Sequence, residues 1–166
     1  MKMKTQLTTL CAGIALFMVS CSTPTPPPAA EAPKAIDMEA IRTEIQAMED
    51  AFSAGETAKD AEAVVAYYSD DAVSYSRNKE PQVGKEAIKA YLTTSLAEDT
   101  STTKNVYKIV DLFAEGDKAV EIGSWEEMNA AGETTSKGHY MSYFEKRDGK
   151  YVCVRDMNVT STPEKV

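Results

Sequence analysis

With 166 residues, 43% of them hydrophobic, the chain has room for one domain around one core. A formal net charge of −8 without any basic stripe excludes the usual nucleic-acid surface, which clusters Lys and Arg against phosphates. Three cysteines and one histidine, His139, offer neither a disulfide framework nor zinc-type spacing, so no metal and no cofactor are expected.

Lys2 and Lys4 are the only charges before Glu31, and the run from Gln6 to Ser20 is mostly apolar or small. That is the n-region and h-region of a signal peptide. It is shorter than the ~20 apolar residues of a spanning helix. Met18-Val19-Ser20-Cys21 resembles a bacterial lipobox. The resemblance implies cleavage before Cys21 and acylation of Cys21, so residues 1–20 are the expected signal. Cys11 fits less well, because Leu10 stands where a small residue is expected. The following "STPTPPPAAEAPK" cannot continue a helix and favours extended polyproline II. Residues 21–36 are thus read as a lipidated cysteine and tether that hold a domain off a membrane. Ser22 and Thr23 are not acidic, which resembles ordinary sorting to an outer membrane, facing the periplasm. Only Cys153 then remains as a thiol in the domain, where it reads as buried and inert.

The folded part is expected over 37–162. Asp37 can cap a first helix whose stripe is Ile41, Ile45, Met48 and Phe52, with Gly55 as its stop. Thr57 and Asp60 can cap a short second helix carrying Ala63, Val64, Tyr67 and Tyr68. "SDDAV" breaks that helix, "AVSYSR" reads as a short strand, and "NKEPQVG" reads as a loop. Gly84 opens a third helix with Ile88, Leu92 and Leu96 on one face. Beyond it the period changes to four strand-like runs, separated at Glu115-Gly116-Asp117, Asn129 to Gly132, and Arg147-Asp148-Gly149. Asp-Gly between alternating runs is a strong hairpin signal. Helices segregated from strands define an α+β fold, with the helices covering one face of the sheet.

The order of these elements, with "VVAYYSDDAVSY", "VGKEAIKAYL", "EGDKAVEIGSW" and "GHYMSYFEKRDGKYVCVRDMN", resembles the nuclear transport factor 2-like superfamily, and within it the SnoaL-like group. The resemblance covers about residues 37 to 160 and implies a cone. In it, a curved antiparallel sheet carries three N-terminal helices on its concave face and wraps a pocket. Tyr151 and Met157 depart from the group, which commonly has tryptophan there. Ketosteroid isomerases of this superfamily use an aspartate base with a tyrosine and a protonated carboxylic acid in an apolar site.

Alternation puts Glu121, Gly123 and Trp125 on one face of their strand, and Asp156 and Asn158 on one face of the last. It does not say which face is inside. Glu121 and Asp156 are therefore candidates for pocket carboxylates or for surface pairs with Lys108 or Arg155. Tyr140 or Tyr143 would be the donor in a catalytic reading; Trp125, Tyr140, Asn158 and Tyr68 are the candidate ligand contacts. Tyr67 and Tyr68 read as core, with one hydroxyl toward the pocket. If Tyr140 lines the cavity, His139 faces away from it. Asp70 and Asp71 read as a helix end and turn rather than metal ligands. Three functions stay open: an envelope domain binding a small partly apolar molecule, an isomerase, cyclase or dehydratase, and a homodimerising module using the outer sheet face. The first is favoured.

Overall fold

Asp37 starts the first helix as the sequence predicts. In the computed structural model, which describes residues 35–162, its carboxylate accepts from the Ala40 amide at 3.0 Å, and α1 runs Met38–Ala58. The signal, Cys21 and the tether up to residue 34 lie outside the described residues. Among the described residues no helix is long and apolar enough to cross a membrane.

Gly55 does not stop α1. The helix continues to Ala58 and closes at Lys59, whose φ of 57° is left-handed. The Lys59 amide donates to Glu56 O at 3.0 Å and the Asp60 amide to Gly55 O at 2.9 Å, a Schellman closure. Gly55 serves packing instead: a Cβ there would lie 2.9 Å from Val64 Cγ2, so the glycine lets the next helix approach. That helix, α2 (Ala61–Val65), is capped by Asp60 alone, which accepts from the Glu62 and Ala63 amides. Thr57 lies inside α1 and donates to Ser53 O.

The tyrosines leave the helix. Tyr67 follows α2 and Tyr68 opens β1 (Tyr68–Tyr75), so "SDDAV" is strand rather than break. Pairing with the last strand overrides the turn preference of Ser-Asp-Asp. β2 (Gln82–Val83) adds a short strand inside the expected loop, held by Val73 opposite Val83. Gly84, at φ 88°, precedes α3 (Lys85–Glu98), which buries Ile88 and Leu92. Four long strands follow: β3 (Lys104–Glu115), β4 (Lys118–Met128), β5 (Thr134–Arg147) and β6 (Lys150–Thr160). Asp148 and Gly149 both take positive φ at the last hairpin.

The sheet order is β2-β1-β6-β5-β4-β3. Every pairing is antiparallel except β1 with β6, so the curved sheet is mixed where the sequence suggests a purely antiparallel one. Two bulges set its inner face. On β3 the register slips at Val110, so Tyr107 and Ile109 face inward before it and Leu112 and Ala114 after it. On β6 it slips at Val154: Tyr151 and Cys153 are buried before it, and Asp156 turns inward after it. The core joins Ile45 of α1, Val64 of α2 and Ile88 of α3 to Phe144 and Cys153 of the sheet.

Candidate functional site: an acidic, aromatic cavity

Between helices and sheet lies a cavity of about 290 Å³. Two cross-strand pairs shape its sheet wall. Gly123 of β4 faces Tyr140 of β5, and Trp125 faces Gly138. A Cβ on Gly123 would sit 2.0 Å from Tyr140 Cζ, and one on Gly138 would sit 2.7 Å from the Trp125 indole. Each aromatic ring therefore lies over the bare backbone of the opposite glycine. Trp125 is fixed further by its Nε1 donating to Val159 O at 3.1 Å.

Asp156 is the carboxylate that alternation and the β6 bulge bring to the cavity. Tyr68 donates to its Oδ2 at 2.9 Å, while Oδ1 is buried without a hydrogen-bond partner. Ser74 stands opposite in register, close enough to favour the ionised form without closing a bond on Oδ1. Burial outweighs both hydroxyls and raises the Asp156 carboxyl above its usual range.

Glu121 has a different place. It is fully buried behind Tyr140, which donates to its Oε1 at 2.6 Å. Its Oε2 is buried without a hydrogen-bond partner, and burial raises the Glu121 carboxyl above its usual range. Burial first, and then the charge of Glu121, hold Glu49 well above the carboxylate range. Both buried carboxyls thus favour the protonated form. Tyr67 completes the pair, donating to Glu49 Oε1 at 2.5 Å and lying 3.0 Å from Ser142 Oγ. On the opposite wall Glu56 Oε2 accepts from Asn105 Nδ2 at 3.0 Å and from the Tyr107 hydroxyl at 2.9 Å, and burial raises it too. Tyr67, Tyr68 and Tyr107 are all raised by burial, so they remain donors.

Of the expected contacts, Asp156, Tyr140, Trp125 and Tyr68 meet at the cavity, and Asn158 stands exposed at its edge. Glu121 does not line it; it holds a lining residue in place. Neither carboxylate makes the surface pairs considered from sequence: Arg155 bonds instead to the main-chain oxygens of Asp71 and Val154. Tyr143 turns away and donates to Glu145 at 2.9 Å, which removes it as a pocket donor. His139 is exposed while Tyr140 is buried. Asp70 and Asp71 lie in β1 rather than a turn, and Asp71 pairs with Arg147 at 2.5 Å. Among the described residues no cluster has metal-binding geometry. Cys153 is buried with its thiol raised by burial.

Sequence reasoning missed Glu49 and Glu56. A signal for both exists: each lies four residues beyond an apolar stripe residue, Ile45 and Phe52, so each falls on the buried side of α1.

An α+β cone with a polar-floored cavity between helices and sheet is the class that this architecture defines. A sequence model of the SnoaL-like domain matches residues 38–154, and the chain belongs to that family. Solved structures agree on the fold. A nuclear transport factor 2-like protein with a cystatin-like fold from Novosphingobium aromaticivorans superposes with a TM-score of 0.66 at 17% identity, covering 76% of this chain and 86% of that one. A ketosteroid isomerase-like protein from Erwinia carotovora atroseptica gives 0.60 at 22% identity, covering 74% and 97%. A protein of unknown function with a cystatin-like fold from Nostoc punctiforme gives 0.65 at 14%, covering 72% and 90%. No curated protein matches the chain.

Proposed function

We propose that the domain binds a small, partly apolar molecule in the cavity while Cys21 anchors the chain to the cell envelope. The observation that carries the binding reading is Asp156 Oδ1, a buried acceptor left unpaired on the wall of a cavity lined by aromatic, aliphatic and a set of polar side chains. A buried polar atom without a partner is costly, and a ligand donor would remove that cost. Native mass spectrometry of the chain purified from envelopes is expected to retain a reproducible small mass. Trp125→Ala is expected to lose it or weaken it by about tenfold or more. A clean, ligand-free mass from wild-type protein would reject the binding reading.

The same atom favours a second reading. A raised carboxyl beside a cavity, held by a tyrosine, is the equipment of a proton-transfer catalyst of isomerase, cyclase or dehydratase type.

The lipobox at Met18–Cys21, the apolar run before it and the proline-rich tether after it support anchoring, with the outer membrane facing the periplasm as the proposed place. Metabolic labelling with a fatty acid that persists in Cys21→Ser would refute it. The outer sheet face supports homodimerisation: Tyr75, Met157, Met141 and Ile122 are register partners in one row across four strands, and the first three are at least 42% exposed. Sedimentation as a monomer at high concentration would exclude a dimer through that row.

A further inference from the structure

The lining of the cavity has a one-sided charge. Glu49, Glu56 and Asp156 contribute carboxyl groups, and no described lining residue is Lys, Arg or His. Glu49 is engaged with Glu121 and Tyr67, so Asp156 on β6 and Glu56 on α1 are the acids that face the space from two sides. No nearby cation reaches into the space: Lys59 moderates Glu56 from outside the lining, and Lys85 Nζ donates to Tyr68 O at 2.9 Å. Lys59 pairs with Asp99, and Lys79 sits 4.8 Å over the ring of Tyr91. Between the two acids the walls are aromatic. Phe52 is the hub, with ring centroids 5.1 Å from Tyr67, 5.6 Å from Tyr107 and 6.3 Å from Tyr68. Tyr140 stacks edge-on against Tyr107 at 5.7 Å, and Trp125 closes the sheet side.

We infer that this cavity selects a small organic cation, an amine or quaternary ammonium attached to an apolar group. The inference rests on the reading of the cavity as a ligand site and names the class of ligand. The physical case compares three charges. An anion would enter a low-dielectric space with no cation in its lining and two acids facing it. A neutral molecule would fill the apolar volume and could donate to Asp156 Oδ1, but it would gain no charge attraction from the acids or the ring faces. A cation gives Asp156 Oδ1 the donor it lacks, and electron-rich ring faces attract an ammonium within about 6 Å. The buried acids then ionise against the bound cation, releasing protons that burial had retained.

The test uses the full chain and a matched set of 2-phenylethylammonium, 2-phenylethanol and phenylacetate. Trp125 is the sole tryptophan and lines the cavity, so its fluorescence reports occupancy there directly. The ammonium is expected to bind at least about tenfold more tightly than the alcohol, with phenylacetate weakest. In Asp156→Asn the preference for the ammonium over the alcohol should collapse to within about twofold, and in Glu56→Gln it should shrink by a smaller factor. If the alcohol or phenylacetate binds the wild-type chain as tightly as the ammonium, the cation inference is overturned and the ligand-cavity reading stands. If none of the three alters Trp125 emission, both fall. The wild-type comparison does not depend on either variant folding. Full retention of the preference in both variants, with unchanged circular dichroism, would also overturn the inference.

Discussion

Asp156 owes its role to its surroundings. Tyr68 holds one oxygen, the other is bare, and burial raises the group toward the neutral range where a carboxyl can take or give a proton. If the domain is a catalyst, Asp156→Asn should lower turnover by roughly 10²–10⁴ while leaving the circular dichroism spectrum unchanged. Turnover that survives the change would remove Asp156 as the base. The tyrosine hydroxyls are a separate matter. Tyr140 and Tyr107 already donate to Glu121 and Glu56, so they position the walls, and neither proton is free for a developing oxyanion. The pairing of Asp156 and Asn158 on one face was legible in the sequence, because strand period is two. That this face is the inner one was not legible, because Cys153, of opposite parity, is also buried, and only the slip at Val154 reconciles them.

At the scale of strands, the sheet wall depends on two Gly-x-aromatic segments, Gly123-Ser124-Trp125 and Gly138-His139-Tyr140, meeting antiparallel. Each glycine is the seat of the partner's ring. Gly123→Ala would place a methyl group into Tyr140 and push it from Glu121. The expected cost is about 1–3 kcal/mol, read by chemical denaturation, with a larger effect on ligand affinity than on secondary structure. A variant as stable as the wild type would show that the Tyr140 ring can move aside freely. The sequence displays both glycine–aromatic segments and the hairpins that join the strands. The exact opposition of glycine and ring depends on register over a long β4–β5 hairpin with an irregularity near its end, which local preference does not set. The same limit explains α1. Its stripe is visible, but the left-handed turn that stops it falls at Lys59, while Gly55 gives Val64 its open side.

Across the whole molecule, stability and the cavity's acids are linked. Glu49, Glu56, Glu121 and Asp156 all have carboxyls raised mainly by burial. The folded chain therefore keeps protons that the unfolded chain releases near about pH 4. Stability from this source is complete below that pH and is lost as pH rises through the folded-state values. Asp99, lowered to about 2 by Lys59, and Glu145, lowered by Arg147, act in the opposite sense, but these are exposed pairs of small effect. The melting temperature is expected to fall as pH rises above the ordinary carboxylate range of about 4. Glu49→Gln, whose amide can still accept from Tyr67 and donate to Glu121, should make that fall shallower; an identical fall would show that Glu49 does not contribute. Period and turn chemistry are local, so the α+β order, the family, the long hairpins and the parity of Glu121, Trp125, Asp156 and Asn158 could be read from the residues alone. Long-range contact set the rest: β1 pairs parallel to β6, Glu121 lies behind the cavity rather than on it, and Glu49 and Glu56 of α1 meet Tyr67 and Tyr107. Those outcomes depend on which distant elements meet, and the free energy of a buried carboxyl is set by its partners across that contact rather than by its neighbours in the chain.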